Sequence, residues 1–500
     1  MLVHQLMYQG TDAKVAFYSK EDVTYKILQE KVAAYRSFFH KSGIRPGDNV
    51  GLFSRNSVEF VYSYMAVVSL GAVVVPLNFQ LTVREIAYIV DDAQMSHLIT
   101  TEYLDLTAEL AQCDSRRTIV QLVIPAFQTK LTCDKLETIP SLDNVLGENH
   151  PCAIIYTSGT TGKPKGAILT HKNLVSNAEA FRVALPVASN DNVLCVLPMY
   201  HCFAWTCAVL NSLLCGASIT ILEAFAPRET TAAIRQYGVT VVYGVPPMYN
   251  FLARMGEAKD LAGVRIFVSG GASLPEKVAK QFRDKYGTAI IEGYGLSEAS
   301  PVVTLSPPAK TKYYSIGKAL PGLQVQIVNP KGENLPPGKV GEIVVKGPSV
   351  MQGYLNLPLE TSLALRDGWL YTGDLAYRDT EGYFYIVDRL KDMIISNGEN
   401  IYPREIEELL YAYTGVTEAA VIGVPDELRG QAACAYLVLS EGQTFDKKAI
   451  RDYLQAKLAG YKIPRDFVLV AALPKNQTGK ILKRVLREQV AGGTNNVQVG

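Results

Sequence analysis

The sequence predicts an α/β protein whose large N-terminal domain contains parallel sheets, followed by a small β-barrel-like subdomain and a smaller α+β C-terminal domain. Through about residue 300, short runs rich in Val and Ile alternate with helical patterns, which is typical of parallel sheets connected by helices. From about residue 313, Gly- and Pro-rich turns separate runs that suit antiparallel hairpins. After Asp388, strand and helix patterns mix over about 110 residues, a size typical of a small domain.

A series of short apolar runs predicts the sheets of the N-terminal domain. These runs are NVGLF, VVVPL, SHLIT, AIIYT, SITIL, VVYGV, VRIFVSG and AIIEGYG. Amphipathic segments such as TAAIRQYG and PEKVAKQFRDKYG lie between them and predict the connecting helices. Because ligands bind at the loops that leave the carboxyl ends of such strands, we expect the functional residues there.

The later parts of the chain set the predicted domain boundaries. The run LQVQIVNPKGENLPPGKVGEIVVKG predicts hairpins, and we therefore expect a β-rich subdomain over residues 313–387 at the end of an N-terminal domain spanning 1–387. Residues 388–500 form the predicted C-terminal domain. Its segment YPREIEELLYAY predicts a helix with Pro403 in the first turn, and DKKAIRDYLQAKL predicts another.

Two uncharged stretches, 60–83 and 192–222, are long enough to cross a membrane. Gly, Pro and polar residues interrupt both, so we expect buried helices and strands of an α/β core, among them a single helix over AWTCAVLNSLL (204–214) after His201, and no transmembrane segment. The first residues contain no basic region followed by an apolar stretch, which argues against a signal peptide. The expected location is the cytoplasm.

Composition excludes several classes of function. The 49 Lys and Arg residues nearly balance 48 Asp and Glu, giving a net charge of +1, so no nucleic-acid partner is expected. The eight cysteines contain no C-x-x-C pair, and their spacing matches no zinc pattern. They are expected to be reduced thiols.

The segment Tyr156–Gly166, YTSGTTGKPKG, is the strongest functional signal. It lies between two strand patterns, and its last ten residues contain three Gly, four Ser or Thr and two Lys. Gly allows backbone N–H groups to approach a polyphosphate, hydroxyl groups donate hydrogen bonds, and lysines neutralise charge. It is not a Walker A loop, because Pro164 follows Gly162-Lys163 where that loop requires Ser or Thr.

This segment resembles the signature phosphate loop of the adenylate-forming superfamily. That superfamily includes acyl-CoA synthetases, adenylation domains of nonribosomal peptide synthetases and firefly-type luciferases. Further motifs occur in the family's order: GYGLSE at 293–298, YTGD at 371–374, DRLKDMIISNGENIYPREIE at 388–407 and PKNQTGKILKR at 474–484. The resemblance thus covers nearly the whole chain.

The resemblance implies a two-step reaction with ATP, Mg²⁺ and the co-substrate CoA. A carboxylate attacks the α-phosphate of ATP, which yields an acyl-adenylate and pyrophosphate, and a thiol then displaces AMP. The first step brings two anions together, which is why cations and a metal are needed. The implied partners are small molecules: a fatty acid, ATP and CoA.

The family's nucleotide-binding positions carry over to matching residues of this chain. They are Thr157, Ser158, Gly159, Thr160, Thr161, Gly162, Lys163, Lys165, Gly271, Ala272, Glu292, Gly293, Tyr294, Gly295, Ser297, Asp374 and Arg389. Ser297 stands where many members have Thr and keeps the hydroxyl. Glu298 matches the carboxylate associated with Mg²⁺. Asp374 matches the acid that accepts hydrogen bonds from the two ribose hydroxyls, with Arg389 as the second ribose contact.

Three further positions concern catalysis and domain movement. Lys480 matches the lysine that contacts both the substrate carboxylate and the α-phosphate, and His201 resembles a residue beside the acyl carboxylate. In the family the C-terminal domain is mobile and rotates after adenylation, withdrawing this lysine. Asp388 matches the hinge, and Gly398 lies in the loop that forms the thiol channel.

The acid is expected to be a medium- or long-chain fatty acid. Residues 193–222 contain no Asp or Glu to bind an α-amine, which favours an apolar pocket, and GYGLSEASPVVTLSP looks like fatty-acyl-CoA synthetases. Aryl acids such as cinnamate or benzoate stay open, as does a carrier-protein thiol in place of CoA. A luciferase-like oxidase and a non-catalytic nucleotide binder are less favoured. Weak peripheral membrane association stays open, and so does the choice between monomer and homodimer.

Overall fold

The structure is a computed structural model that describes residues 1–113, 118–131, 139–142, 145–157, 164–475 and 480–491. The described residues form four sheets, of which the two largest each combine strands from separate parts of the chain. The α-helices are Tyr25–Lys41, Val58–Ser69, Val83–Asp92, Thr107–Leu110, Ile124–Leu131, His171–Ala184, Asn211–Leu214, Pro227–Gln236, Pro246–Met255, Glu276–Tyr286, Pro358–Ala364, Pro403–Ala412, Lys447–Gln455 and Lys483–Ala491. Ala204–Leu210 is a π-helix, and the short 3₁₀ turns are Val3–Tyr8, Ala258–Asp260, Ser297–Ala299 and Gly460–Lys462.

The largest sheet has nine strands and a parallel centre. Its spatial order is Lys318–Ala319, Val302–Leu305, Ile290–Gly295, Ile266–Ser269, Val241–Gly244, Asn192–Cys195, Ser218–Ile221, Val15–Tyr18 and Val23–Thr24. The six strands from Ile290–Gly295 to Val15–Tyr18 are parallel, and the edge strands pair antiparallel. The loops at their carboxyl ends hold His201, Gly271, Ala272, Ser297 and Glu298.

A second sheet of seven strands holds the predicted phosphate loop. Its order is Gly353–Tyr354, Lys165–Thr170, Pro151–Thr157, Val73–Pro76, Asn49–Phe53, His97–Thr100 and Val120–Val123. Pro151–Thr157 and Lys165–Thr170 are antiparallel neighbours, so the phosphate loop connects the two arms of a hairpin. The short strand Gly353–Tyr354 extends this hairpin at the sheet edge.

Two smaller sheets follow. The third is antiparallel and consists of Gln324–Val328, Gly341–Lys346, Trp369–Arg378, Leu365–Arg366 and Phe384–Arg389. The fourth consists of Glu399–Ile401, Ile394–Ser396, Gly430–Leu439, Val416–Asp426 and Asp466–Leu469. The helices Pro403–Ala412 and Lys447–Gln455 accompany the fourth sheet, and they bury apolar residues against it.

Local sequence accounts for where the helices begin. Ser57 and Thr82 accept hydrogen bonds from backbone N–H groups in the first turns of the helices that follow them. Pro403 opens the first helix of the C-terminal sheet, where its missing N–H has no cost. In Val58–Ser69 every residue from Phe60 onward is buried, which explains the uncharged sequence of that stretch. Among the described residues, no helix combines the length and apolar character that a membrane crossing requires.

The predicted α/β class and the order of its elements are confirmed. Each of the apolar runs assigned to the N-terminal domain forms a strand, and the strands between residues 313 and 389 pair antiparallel. One element differs in detail: the segment predicted as a single helix after His201 begins as a π-helix and becomes α-helical at Asn211. The third sheet ends at Arg389 and the fourth begins at Ile394. The domain boundary at residue 388 stays a prediction.

Candidate active site

The two ends of the predicted phosphate loop are held together by strand pairing. Thr157 faces Lys165 across the hairpin, and Tyr156 faces Gly166. The Lys165 ammonium lies 5.5 Å from the centre of the Tyr354 ring. The remaining loop positions, Ser158, Gly159, Thr160, Thr161, Gly162 and Lys163, lie outside the described residues.

Glu298 lies beside this hairpin. The Tyr354 hydroxyl donates to Glu298 Oε1 at 2.8 Å, and because Tyr354 also contacts Lys165 it joins the acid to the phosphate-loop hairpin. The neighbouring Ser297 Oγ lies 3.2 Å from Cys202 Sγ, so the loop with the predicted metal ligand contacts the segment that contains His201. The two motifs are thus assembled side by side.

Asp374 is the centre of a second group of polar side chains. Its carboxylate is buried, accepts a 2.6 Å hydrogen bond from the Tyr294 hydroxyl through Oδ2, and lies 3.3 Å from Arg389 Nε through Oδ1. Asp374 and Arg389 are register partners on adjacent antiparallel strands, which explains how residues 15 positions apart meet. Three of the sequence-predicted nucleotide contacts therefore meet at one carboxylate.

Glu292 and the glycine loop lie next to this group on the large sheet. Glu292 is buried and accepts a hydrogen bond from the Leu274 N–H at 3.2 Å, which ties its strand to the loop containing Gly271 and Ala272. Burial raises the pKa of Glu292 to about 7, and the positive charge of Arg404 opposes that rise. Gly271 has φ +77°, a conformation that disfavours any side chain.

Gly293 and Gly295 flank Tyr294 on the same strand. A Cβ at Gly295 would lie 1.9 Å from the Pro301 carbonyl oxygen, and one at Gly293 would lie 3.0 Å from Leu305 Cδ1. The backbone thus approaches its antiparallel neighbour too closely for a side chain at Gly295. This close pairing fixes where the Tyr294 hydroxyl meets Asp374.

Lys480 is brought from near the C-terminus to the residues of the N-terminal motifs. Burial lowers its pKa to about 8, repulsion from Arg389 adds to that effect, and Asp374 opposes it. The pKa of His201 is lowered to about 4, mainly by burial and secondarily by the positive charge of Lys480. Asp374, Arg389, His201 and Lys480 thus share one electrostatic environment.

The neutral His201 ring has a defined orientation. The Phe203 N–H donates to His201 Nδ1 at 3.2 Å, so Nδ1 is the acceptor and Nε2 carries the hydrogen. His201 can therefore donate one hydrogen bond through Nε2 at neutral pH. This geometry suits contact with a carboxylate oxygen.

Asp388, the predicted hinge, connects the third sheet to the first helix of the fourth. Its carboxylate is buried and accepts from the Arg389 N–H at 2.7 Å and from the Arg404 N–H at 2.8 Å. Burial raises its pKa, and the nearby Lys483 limits that rise. The Arg404 guanidinium also donates to the Ile386 carbonyl at 2.8 Å. Asp388 thus accepts hydrogen bonds both from the third sheet and from the helix Pro403–Ala412.

Gly398 lies apart from the Lys480 group. It forms a two-residue turn with Asn397 between Ile394–Ser396 and Glu399–Ile401, and both turn residues have positive φ, +52° and +82°. The turn borders a cavity of about 430 Å³ whose lining includes Arg429, Arg451 and Arg465.

Sequence reasoning missed Tyr354, Arg404 and Cys202 as neighbours of the site. Tyr354 lies 56 positions from Glu298 in a two-residue strand, and Cys202 meets Ser297 across two loops. No motif connects these pairs, because their contacts depend on sheet pairing. The positive charge of Arg404 near Glu292 likewise depends on how the C-terminal helix packs. A weak signal was available only for Cys202, which adjoins His201.

Known protein families and relatives match this chain over most of its length. Residues 5–355 match the family described as AMP-binding enzyme, and residues 405–480 match the AMP-binding enzyme C-terminal domain. A feruloyl-CoA synthase from Amycolatopsis sp is 40% identical over 93% of this chain and 94% of its own length. A long-chain-fatty-acid–CoA ligase from Bacillus subtilis is 36% identical over 95% of this chain and 91% of its own.

Solved structures agree with these sequence relatives. The ATP-bound MatB from Rhodopseudomonas palustris superposes with a TM-score of 0.92 at 31% identity and covers 98% of this chain and 99% of its own. The relatives include both aryl and fatty acids in their names, so they leave the acid undecided between those classes. The chain therefore belongs to the AMP-binding enzyme family of the adenylate-forming superfamily.

Proposed function

We propose that this protein is an AMP-forming acid–CoA ligase that activates an apolar monocarboxylic acid with ATP and Mg²⁺ and transfers it to CoA. One observation carries the proposal. Lys480, from near the C-terminus, lies with His201, Asp374 and Arg389, which come from two sheets of the N-terminal part. A cation delivered to nucleotide-binding residues and to a carboxylate-binding imidazole is the arrangement that acid adenylation requires.

The nucleotide end of the site fits ATP. The Asp374 carboxylate, oriented by Tyr294 and Arg389, can accept hydrogen bonds from two adjacent hydroxyls of a ribose. Lys165 stands at the end of the phosphate loop beside Glu298 and Tyr354, and the Glu298 carboxylate offers the oxygen ligand that Mg²⁺ prefers. When bound, the metal neutralises phosphate charge.

The residues of this chain have distinct parts in the first step. His201 donates through Nε2 to one oxygen of the acid, which holds the other oxygen toward the α-phosphate. Lys480 offsets the negative charge that builds on that phosphate as the acid attacks. Its lowered pKa shows that this cation lies in a poorly solvated place, where a charge interacts more strongly than in water.

The CoA step uses the C-terminal part. The arginines around the Asn397–Gly398 turn suit the phosphate groups of CoA, because guanidinium groups bind phosphates through paired hydrogen bonds. Rotation about Asp388 would exchange Lys480 for this turn at the reaction centre. A cationic cavity beside the exchanged turn supports CoA as the thiol donor over a carrier protein.

The acid itself has two candidate classes. An aromatic wall formed by Phe203 and Tyr243, together with the 40% identical feruloyl-CoA synthase, favours an aryl acid. The uncharged segment 192–222 and the 36% identical long-chain ligase favour a medium- or long-chain fatty acid, which stays the second candidate. Both classes share an apolar body and one carboxylate.

The test is a pyrophosphate-release assay with ATP, Mg²⁺ and a panel of benzoate, cinnamates and C4 to C18 fatty acids, with and without CoA. We expect pyrophosphate with at least one apolar acid, and the matching acyl-CoA by mass spectrometry when CoA is present. Release of pyrophosphate without acyl-CoA would indicate another acceptor, and light emission would indicate an oxidase. Absence of pyrophosphate with every acid would leave a nucleotide binder.

A further inference from the structure

Tyr243 carries a buried hydroxyl group that the protein does not satisfy. The side chain is 1% exposed, and its hydroxyl has no hydrogen-bond partner among the residues that the structure describes. A buried unpaired hydroxyl costs free energy, so such groups are uncommon unless a ligand or water completes them. We therefore ask which group this hydroxyl contacts when substrates are bound.

The position of Tyr243 points to the acid. Its ring makes an edge contact with the Phe203 ring at 6.2 Å between centroids, and Phe203 in turn holds His201 through its backbone N–H. The Phe203 ring also borders the glycine loop, because a Cβ at Gly270 would lie 3.1 Å from its Cζ. The rings of Phe203 and Tyr243, in that order from His201, thus form one aromatic wall.

Tyr249, in the helix Pro246–Met255 that follows this strand, gives a direct comparison. Tyr249 is also fully buried, but its hydroxyl donates to the Val268 carbonyl at 2.7 Å. Tyr249 packs on the Phe267 and Phe282 side of the sheet, whereas Tyr243 packs on Phe181 and Phe203. One buried tyrosine thus has a structural partner, and the other, on the His201 side, has none.

The segment that packs against the Tyr243 side of the sheet is unusual. Ala204–Leu210 follows His201 and Phe203 as a fully buried π-helix, a rare form that is frequent at functional sites. Burial raises the pKa of Tyr243 well above its ordinary value, and the nearby Cys207 of this helix, Cys215 and Asp191 add to that rise. The π-helix and the strand Val241–Gly244 therefore enclose the region beyond Phe203.

We propose that Tyr243 determines specificity for an aryl acid with a polar ring substituent, such as a phenolic hydroxyl. This inference rests on the proposed ligase function and names the class of its acid. With the carboxylate at His201 and the ring along Phe203, the far end of the acid meets the Tyr243 hydroxyl. A site that pairs a buried hydroxyl with a substrate hydroxyl disfavours analogues that lack it.

The test compares 4-hydroxycinnamate, cinnamate and octanoate in the wild type and in Tyr243→Phe. We expect the wild type to prefer 4-hydroxycinnamate over cinnamate in kcat/KM of pyrophosphate release. Loss of one neutral hydrogen bond should lower that preference about tenfold in Tyr243→Phe, while turnover of cinnamate is retained. The temperature of thermal unfolding should be unchanged or slightly raised, because the lost hydroxyl has no hydrogen-bond partner in the described part of the chain.

Tyr249→Phe is the matched control. It removes a hydroxyl with a protein partner, so it should lower thermal stability and leave the preference between the two cinnamates unchanged. An unchanged preference in Tyr243→Phe would overturn the inference, as would a wild type that turns over octanoate but neither cinnamate. In that last case the ligase function stands. A wild type without pyrophosphate release on any acid would instead contradict the ligase function itself.

Discussion

At the scale of single residues, Lys480 has the most specific role. We expect Lys480→Ala to fold normally and to lower acyl-adenylate formation by at least about 10²–10³-fold, because a charge aimed at a developing anion is lost. Thioester formation from supplied acyl-AMP should be largely spared. Single-turnover measurement of both half-reactions checks this, and an equal loss in both would contradict the assignment of Lys480 to the first step alone.

The pKa of Lys480 gives a second prediction at this scale. Only the protonated lysine carries the required charge, and with a pKa of about 8 that form is lost as the pH rises through 8. We therefore expect kcat/KM for adenylation to fall above about pH 8, well below the range of an ordinary lysine. His201, with a pKa of about 4, stays neutral over this range and adds no transition.

Lys480→Arg is the control for this pH profile. Arginine stays protonated throughout, so whatever activity this variant retains should not decline between about pH 7 and 9. The profile is measured as pyrophosphate release at limiting ATP. The same decline in Lys480→Arg would assign the transition to another group.

At the residue scale, the sequence predicted some residues of the site and missed others. Glu298, Asp374, Arg389 and Lys480 follow from motif type and order, and the structure brings Asp374, Arg389 and Lys480 to one place. Tyr354 could not be predicted, because its contact with Glu298 arises from an added edge strand. The phosphate-loop positions 158–163 lie outside the described residues, and their roles stay predictions.

At the scale of elements, the connection at Asp388 is the place where movement can be tested. Proline at 388 fixes φ and also restricts Val387, so Asp388→Pro should favour one domain arrangement. Because Lys480 lies at the site in the described arrangement and the hinge residue belongs to an extended strand, we expect adenylation to persist and thioester formation to collapse. Pre-steady-state acyl-AMP and acyl-CoA formation on one preparation provide the measurement.

Asp388→Asn separates the backbone effect from the side-chain contacts. It keeps an oxygen that can accept from Arg389 or Arg404 and leaves the backbone free, so both half-reactions should stay near wild type. If Asp388→Pro also stays within a few-fold of wild type in both steps, Asp388 is not the hinge. A loss shared equally by both variants would indicate that the carboxylate contacts, and no change of backbone angle, matter.

Elements were more predictable than contacts between them. Short Val- and Ile-rich runs define buried strands because both faces of a parallel sheet are covered, and that pattern is visible in the chain. The π-helix at Ala204–Leu210 was predicted as an ordinary helix, since a uniformly apolar segment contains no periodicity that separates the two forms. Its form depends on packing against the strands beside it.

At the scale of the whole molecule, the prediction concerns which acids enter. Asn192–Leu222 lies in the core around His201 without any charged side chain, so a second carboxylate or an amine would be buried without a partner. Octanoate or cinnamate should release pyrophosphate, whereas glycine, alanine and malonate should not. Malonate turnover above that of octanoate and cinnamate would overturn the apolar-acid proposal.

The crowding of Arg389 and Lys391 around Lys480 has a consequence for timing. Arg389 and Lys391 add to the lowering of the Lys480 pKa by burial, whereas Asp374 and Asp392 oppose it, and the charge of a bound triphosphate would favour the protonated lysine. When pyrophosphate departs, it carries away much of the compensating charge, while the acyl-adenylate keeps a single phosphate. In the proposed cycle, repulsion then returns as adenylation ends and favours withdrawal of the lysine. We therefore expect the departure of pyrophosphate to set the start of the thioester step.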